Sequence, residues 1–276
     1  MAQRILTLTS YLLRQFFVSL AGIMHILMTL AIWRLFFDPG QQTPEVAYYI
    51  LVIGLFGSAA GFLVTLTVAS RANRAINYPL LARLPSRVEH LASVLTASLL
   101  TTIILQLLLA LLATFNGPSL SLGILIELPP LWLALDMLAV VLALHATDLV
   151  TSGWSRVYIY GFLAIVLFGR QFDDDVIAWV SGRFFAASRW LMNEGYSGPG
   201  SAVDVAARWL TGDGLNLIAA LFDALFWPFR AISAAVVDGS FSPSQALAPA
   251  LIVLYSTFLF VLAADFFATK DVNFAE

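Results

Sequence analysis

Three side chains capable of acid–base chemistry lie in one strongly apolar stretch of the sequence, residues 131–150. Asp136 lies near the start of this stretch, whereas His145 and Asp148 lie near its end. On a helix, His145 and Asp148 share a face, but Asp136 is about 180° around the helix from His145. A proton relay would need all three groups along one face. We therefore expect Asp136 to pair within a helix bundle and the other two to reach the cytoplasmic interface, with a proton path and an intramembrane enzyme as the alternatives.

Patterns typical of other catalytic and metal sites are absent from the sequence. The three histidines, His25, His90 and His145, have no second histidine or cysteine at metal-ligand spacing, and the chain has no cysteine. Three adjacent aspartates at 173–175 point in different directions, so we expect them to supply charge at a helix N-terminus rather than to bind a metal. The Gly-x-x-x-x-Gly-Lys-Ser/Thr, His-Glu-x-x-His and Gly-x-Ser-x-Gly motifs do not occur. We therefore predict no catalytic residue, no metal site and no cofactor held by this chain.

The composition indicates which elements must position these groups. Of the 276 residues, 60% are hydrophobic and 11% are charged, and the mean hydropathy is +0.88. Soluble domains are about 45–50% apolar and about 25% charged, so most of this chain has to face lipid or other helices. The sequence therefore predicts an all-α integral membrane protein. A net charge of −3 excludes a typical nucleic-acid-binding surface.

Hydropathy predicts six transmembrane helices, because a span needs about 20 apolar residues. Apolar residues also repeat at helical spacing before the first span, with polar residues on the other face. We expect residues 1–16 to form an amphipathic helix in the membrane interface, the alternative being a simple extension of the first span. The predicted spans are residues 17–37, 48–69, 92–115, 131–150, 157–172 and 248–268.

The region 173–247, between the fifth and sixth predicted spans, is expected to be extracytoplasmic. It is net negative, and a glycine-rich break is predicted at residues 195–200. Its apolar part, 215–237, contains Asp223 and Arg230, whose burial in lipid would be costly. We therefore expect that part to dip into the outer leaflet as a helix, or to form a re-entrant helical hairpin, rather than to span the membrane.

Basic residues are concentrated in alternate predicted loops. Loop 71–91 contains four arginines, whereas the loops at 38–47 and 116–130 contain no lysine or arginine. Under the positive-inside rule, loop 71–91 is cytoplasmic. This orientation predicts a multi-pass protein of the cytoplasmic membrane with both termini in the cytoplasm.

Small residues repeat in the second predicted span. Gly54, Gly57 and Gly61 include one Gly-x-x-x-Gly pattern, which lets helix backbones approach closely. Two interpretations follow: a seam with a second copy that can act as a moving contact, or packing within one subunit.

Loop 71–91 also contains the strongest local pattern. Pro79 is expected to begin a short helix and Pro85 to end it. Ser86 and Glu89 form a capping-box pattern that starts the third span. Leucines on one side of the short helix and arginines beside them predict a docking surface for a soluble partner, although the leucines could instead rest on the membrane. The predicted docking residues are Pro79, Leu80, Leu81, Arg83, Leu84 and Arg87.

This layout resembles the membrane permease of type-2 ABC exporters. That family has an interfacial N-terminal helix, six spans, a cytoplasmic coupling helix between the second and third spans, and helices that re-enter the outer leaflet before the last span. Leu80-Leu81-Ala82-Arg83-Leu84-Pro85-Ser86-Arg87 is similar to the family's coupling region, with one residue fewer between Pro85 and Ser86. Residues 266–271, Phe-Phe-Ala-Thr-Lys-Asp, are like its C-terminal tail, with one base instead of two.

The resemblance implies an exporter subunit without an ATPase of its own. Two permease copies, identical or homologous, would pair in the lipid membrane, and ABC ATPase subunits that bind ATP and Mg²⁺ would dock on the coupling helix. The apolar composition favours a hydrophobic or amphipathic substrate. The alternatives are a non-transporting membrane scaffold of a larger complex and an intramembrane enzyme that uses Asp136, His145 and Asp148.

Overall fold

A computed structural model describes most of the chain, and every regular element in the described part is helical. The described residues are 1–38, 40, 45–77, 79, 83–115, 117–118, 120, 122–150, 161, 173–238, 242 and 245–269.

Nine α-helices and one short 3-10 turn, Ala75–Asn77, have complete bounds in this described part. The all-α prediction is therefore confirmed for these residues. We number the helices in chain order: α1 Ala2–Phe17, α2 Leu20–Phe36, α3 Val46–Ala72, α4 Arg87–Thr114, α5 Leu122–His145, α6 Asp173–Asn193, α7 Ser197–Thr211, α8 Asp213–Asp238 and α9 Leu247–Thr269.

Four of the described helices are long and apolar enough to cross a membrane: α3, α4, α5 from Ile126 onward, and α9. They correspond to the second, third, fourth and sixth predicted spans. α1 and α2 make a fifth candidate if they form one broken span, with a bend of 70° between them. The predicted fifth span, 157–172, lies outside the described residues except for Gly161. The candidate spans fit the predicted membrane class.

Large apolar side chains are exposed along the outer faces of these helices. On α4 and α9 they recur three and four residues apart, so each set forms one stripe. Contiguous apolar stripes of this size are unfavourable in water and are expected of surfaces that face lipid. The stripe residues include Ile104, Leu107 and Leu111 on α4 and Leu254, Phe258 and Val261 on α9.

The chain divides into two compact units, residues 1–159 with 228–276 and residues 160–227. In the first unit, α3 packs against α4 and α5, α9 packs against α5, and α1 packs against α4. Large aliphatic residues fill the space between these helices. Those that are almost completely buried include Ile53, Val64, Leu105, Leu109, Leu131, Leu144 and Ile252.

α5 differs from its prediction at both ends. It begins at Leu122, within the predicted loop 116–130, and ends at His145, five residues before the predicted end of the span. Pro129 and Pro130 lie inside the helix rather than at its start, where each removes one backbone hydrogen bond. The apolar sequence before the prolines continues the helix toward the N-terminus. As a result, Asp136 lies near the middle of the candidate span and not at its beginning.

The bend between α1 and α2 is built by local hydrogen bonds. Ser19 is the N-cap of α2, and its Oγ accepts a hydrogen bond from the Gly22 N–H at 3.3 Å. The Ser19 hydroxyl is also bonded to the Phe16 carbonyl oxygen, at 2.5 Å. A side chain at Gly22 would overlap that same carbonyl. Ser and Gly at these positions therefore allow the chain to turn sharply, close to the predicted boundary between the interfacial helix 1–16 and the first span 17–37.

In the second unit, α6 and α7 form a helical hairpin. The predicted break at 195–200 is shorter than expected, because α7 begins at Ser197 and only residues 194–196 are non-helical. Gly195 has a φ of +86°, a conformation that glycine adopts without strain. The Ser188 hydroxyl donates to the Gly200 carbonyl at 2.8 Å and joins the two helices.

α8 is one uninterrupted helix from Asp213 to Asp238 with Pro228 inside it. The segment 215–237 is therefore not a helical hairpin. Among the described helices, α8 is also not one of the candidate spans.

The turn of the α6–α7 hairpin should depend on glycine at one position only. Replacing Gly195→Ala should lower the free energy of unfolding by about 1–2 kcal/mol, because a left-handed conformation is strained for alanine. Gly198→Ala is the matched control, since its side chain would meet open space and its φ is not left-handed. Denaturant unfolding of the full chain in detergent measures both variants. Equal stabilities would contradict the role of Gly195.

Candidate functional site

Both ends of loop 71–91 are tied to α1. At the C-terminal end of α3, Arg71 Nη1 donates to the Gln15 carbonyl oxygen at 3.0 Å. The side-chain amide of Asn77, in the 3-10 turn that follows, donates to the Arg71 carbonyl at 2.8 Å. The chain therefore leaves α3 along a defined path, and that path is held against the helix that precedes the first predicted span.

The other end of the loop begins α4. Ser86 is the N-cap of this helix, as predicted, and its Oγ accepts a hydrogen bond from the Val88 N–H at 3.2 Å. Glu89 does not complete the predicted capping box among the described residues. Its two carboxylate oxygens instead accept hydrogen bonds from Arg4 of α1, at 2.9 and 2.8 Å. Two charge-assisted bonds outcompete one bond to a neutral backbone N–H.

The Arg4–Glu89 ion pair is well placed to hold α1. The Glu89 side chain is only 4% exposed, whereas Arg4 is 51% exposed. The carboxylate is thus largely removed from solvent and depends on Arg4 for its partner, while the arginine reaches it from the surface. We call the pair of ties, Arg71–Gln15 and Arg4–Glu89, the loop clamp.

The predicted docking residues are in part described. Pro79 and Arg83 are helical and exposed, and Arg87 is exposed in the first turn of α4. Leu84 is half-buried. Leu80 and Leu81 lie outside the described residues, so the complete docking surface stays a prediction. Leu84 lines an open groove of about 350 Å³ whose other wall is α1, with Gln3, Arg4, Thr7 and Leu8.

The three glycines of α3 face α4 and α5 of the same chain. A Cβ on Gly54 would lie 3.2 Å from the Trp132 ring, and one on Gly61 would lie 3.3 Å from both Thr102 and Val140. These are the close helix contacts that small residues permit. The contacts at all three glycines are within the subunit, and a seam with a second copy stays a prediction.

Gly57 is the tightest of these positions, and two polar side chains meet there. A Cβ on Gly57 would overlap the side-chain amide of Gln106 and lie 2.6 Å from Asp136 Oδ1. The Gln106 amide donates to the Ile53 carbonyl oxygen at 3.2 Å. We call Gly57, Gln106 and Asp136 the polar centre.

Asp136 is 0% exposed. Neither of its carboxyl oxygens has a hydrogen-bond partner among the described residues. The expected pairing of Asp136 within the bundle is therefore not found in the described part of the chain, although the residue lies inside the bundle. The nearest side-chain amide, that of Gln106, is bonded to a backbone carbonyl instead.

The other two candidate acid–base groups, His145 and Asp148, lie outside the polar centre. His145 is buried at the end of α5, where its Nε2 donates to the Leu259 carbonyl oxygen of α9 at 2.9 Å. Asp148 is exposed beyond the end of α5. The structure therefore does not bring Asp136, His145 and Asp148 together on one surface. Groups of three or more His, Asp or Glu side chains suited to a metal ion are also absent from the described residues.

Comparison of the chain with known protein families, with curated proteins and with solved structures found no match in any of the three. Two features of the described residues remain on which a function can be based. They are the clamped loop 71–91 with its exposed arginines and the polar centre between α3, α4 and α5.

Because the polar centre is closely packed, adding one methyl group at Gly57 should destabilise the protein. Gly57→Ala should lower the free energy of unfolding by about 1–3 kcal/mol, the usual cost of overpacking. Gly182→Ala is the matched control, because Gly182 lies in α6 with nothing within 4 Å of a new Cβ. There alanine should raise stability by up to about 1 kcal/mol through its higher helix propensity. Unfolding in detergent measures both, and equal effects would contradict the close approach at Gly57.

Proposed function

We propose that this chain is the membrane permease subunit of a type-2 ABC exporter. In this proposal it moves a hydrophobic or amphipathic substrate across the cytoplasmic membrane. A separate ATPase subunit supplies the energy, because the sequence has no phosphate-binding motif of its own. The observation that carries the proposal is the clamped loop, which exposes Pro79, Arg83 and Arg87 between two candidate spans.

The loop clamp supports a mechanical role for this loop. Arg71 ties the end of α3 to α1, and Arg4 ties α1 to the start of α4. A force applied by a docked ATPase at residues 79–84 would therefore reach α1, α3 and α4 together. An unconstrained loop would instead absorb such a displacement in its own backbone.

The proposed topology has six spans and both termini in the cytoplasm. α2 is the first span and α1 is an interfacial helix, which the 70° bend and the local turn at Ser19 support. Residues 157–172 provide the fifth span. The region 173–247 lies outside the cytoplasm, with α8 dipping into the outer leaflet. A second permease copy or a homologous permease completes the membrane part of the complex.

If an ATPase docks on the arginines of this loop, reversing the charge of one of them should weaken its binding. Arg83→Glu should reduce the amount of ATPase that copurifies with the tagged chain by about tenfold or more, because it replaces an attraction with a repulsion at the contact. Arg74→Glu is the matched control, since Arg74 is an exposed base of the same loop outside the predicted docking residues. ATP hydrolysis by the reconstituted complex should fall in parallel.

Two outcomes would contradict this prediction. The exporter proposal fails if no ATP-hydrolysing protein copurifies with the unmodified chain. A scaffold is indicated if an ATPase copurifies but replacing residues 79–84 with a Gly/Ser linker leaves both assembly and ATP hydrolysis unchanged.

The absence of cysteine makes the proposed topology directly testable. Single replacements Gly40→Cys, Ile76→Cys and Ser201→Cys can be labelled without a background from native thiols. A membrane-impermeant maleimide should label positions 40 and 201 in intact cells and position 76 only after permeabilisation. Labelling of position 76 in intact cells would reverse the orientation, and protection of position 201 would place α7 inside.

A further inference from the structure

Asp136 lies near the middle of the candidate span in α5. It is ten residues from Ile126 and nine from His145, the two ends of the candidate span in α5. At about 1.5 Å per residue, each end of the span is roughly 15 Å away, and the hydrocarbon core is about 30 Å thick. The carboxyl group therefore lies well inside the candidate span and away from both of its ends.

No other charged side chain lies at this depth in the described helices packed against α5. α3, α4 and α9 pack against α5, and their ionisable residues other than tyrosine lie within five residues of a helix end. The nearest basic group on α5 itself is His145, at its end and bonded to α9. The charged or titratable groups of these four helices and their caps are Glu45, Tyr48, Tyr49, Arg71, Arg87, Glu89, His90, Glu127, His145, Tyr255 and Asp265.

The surroundings of Asp136 do not suit an ionised carboxylate. Its exposed fraction is zero, and both of its oxygens lack a hydrogen-bond partner among the described residues. The nearby Gln106 amide donates its hydrogen bond to the Ile53 carbonyl oxygen. An isolated carboxylate in such a medium is so unfavourable that the group takes up a proton instead.

The polar centre has too little free volume for a metal cation or a substrate. Even a single Cβ on Gly57 would overlap Gln106 and crowd Asp136. A metal cation would need several oxygen ligands, and a substrate would need an open volume. A proton needs neither of these.

We propose that Asp136 is a reversible proton-binding site at the membrane midplane. Asp136 is protonated in the packed arrangement of α3, α4 and α5 described above. When α3 moves away and water enters, the carboxyl O–H bond breaks, and the proton passes to that water. The Gln106 N–H then turns from the Ile53 carbonyl to the carboxylate, and the freed carbonyl is hydrated. Proton release is therefore coupled to separation of α3 from its neighbours.

Infrared spectroscopy of the full chain in lipid vesicles tests the resting state of this site. At pH 7, about three units above the pKa of a free aspartate, the unmodified chain should show the C=O stretch of a protonated carboxyl group. Asp136→Asn should remove this band. Glu127→Gln should keep it, because Glu127 is an exposed carboxylate on the same helix. Absence of the band from the unmodified chain would overturn the proposal.

The pH dependence of unfolding provides a second and independent readout. The unfolded chain loses a proton from Asp136 as the pH rises above about 4, whereas the folded chain retains it. The ratio of folded to unfolded protein should therefore fall tenfold per pH unit relative to Asp136→Asn, until the folded protein also releases the proton. Glu127→Gln should show the unmodified pH dependence.

The principal competing possibility is an ionised Asp136 paired with a cation from outside the described residues. Asp136→Asn would then destabilise the chain mainly above about pH 4, where the carboxylate of the unmodified chain is ionised, and no protonated carboxyl band would be present. If Asp136→Asn does not fold, aspartate carrying ¹³C in its carboxyl group still shows by its shift whether the band of the unmodified chain comes from an aspartate and not from a glutamate, and a band that does not shift would overturn the proposal. Both readouts use this chain alone, so their outcome is independent of the exporter proposal.

Discussion

The close approach of α3 to α4 and α5 is the constraint on which the first unit depends. Gly54, Gly57 and Gly61 leave no side chain between the helices, so Trp132, Gln106 and Thr102 pack directly against the α3 backbone. In lipid, where hydrophobic attraction between helices is absent, this van der Waals contact and the hydrogen bonds that accompany it hold the helices together. Apolar stripes on the opposite faces of α4 and α9 remain exposed, as lipid contact requires.

The same helix connects the two features of functional interest. α3 carries Gly57 at the polar centre and Arg71 at the loop clamp. A rigid-body displacement of α3 that begins at loop 71–91 would therefore change the packing of α3 over Asp136. Such coupling needs no continuous path of polar residues, because one packed helix transmits the displacement along its length. The clamp at Arg4 and Glu89 keeps α1 and the start of α4 in register with that movement.

Local patterns predicted the elements whose physical cause is local. The spans at α3, α4 and α9 were correctly located because each is a long apolar run, and Ser86 was correctly identified as a helix cap. The fourth predicted span, 131–150, began after Pro129 and Pro130, whereas α5 continues through both prolines, which are uncommon inside a helix. The boundary between α1 and α2 lies close to the predicted boundary at residues 16–17, because the amphipathic pattern ends there, whereas the 70° bend itself depends on local hydrogen bonds at Ser19.

The sequence by itself determined the all-helical, apolar class of protein, the location of four candidate spans and the basic loop between two of them, because hydropathy and charge depend only on neighbouring residues. Only the tertiary structure decided which groups meet. Glu89 pairs with Arg4 rather than with its own helix cap, and Asp136 lies unpaired, within the described residues, beside Gly57 and Gln106. Partners of this kind depend on the rotation and depth at which separate helices pack. No local window of sequence contains that information.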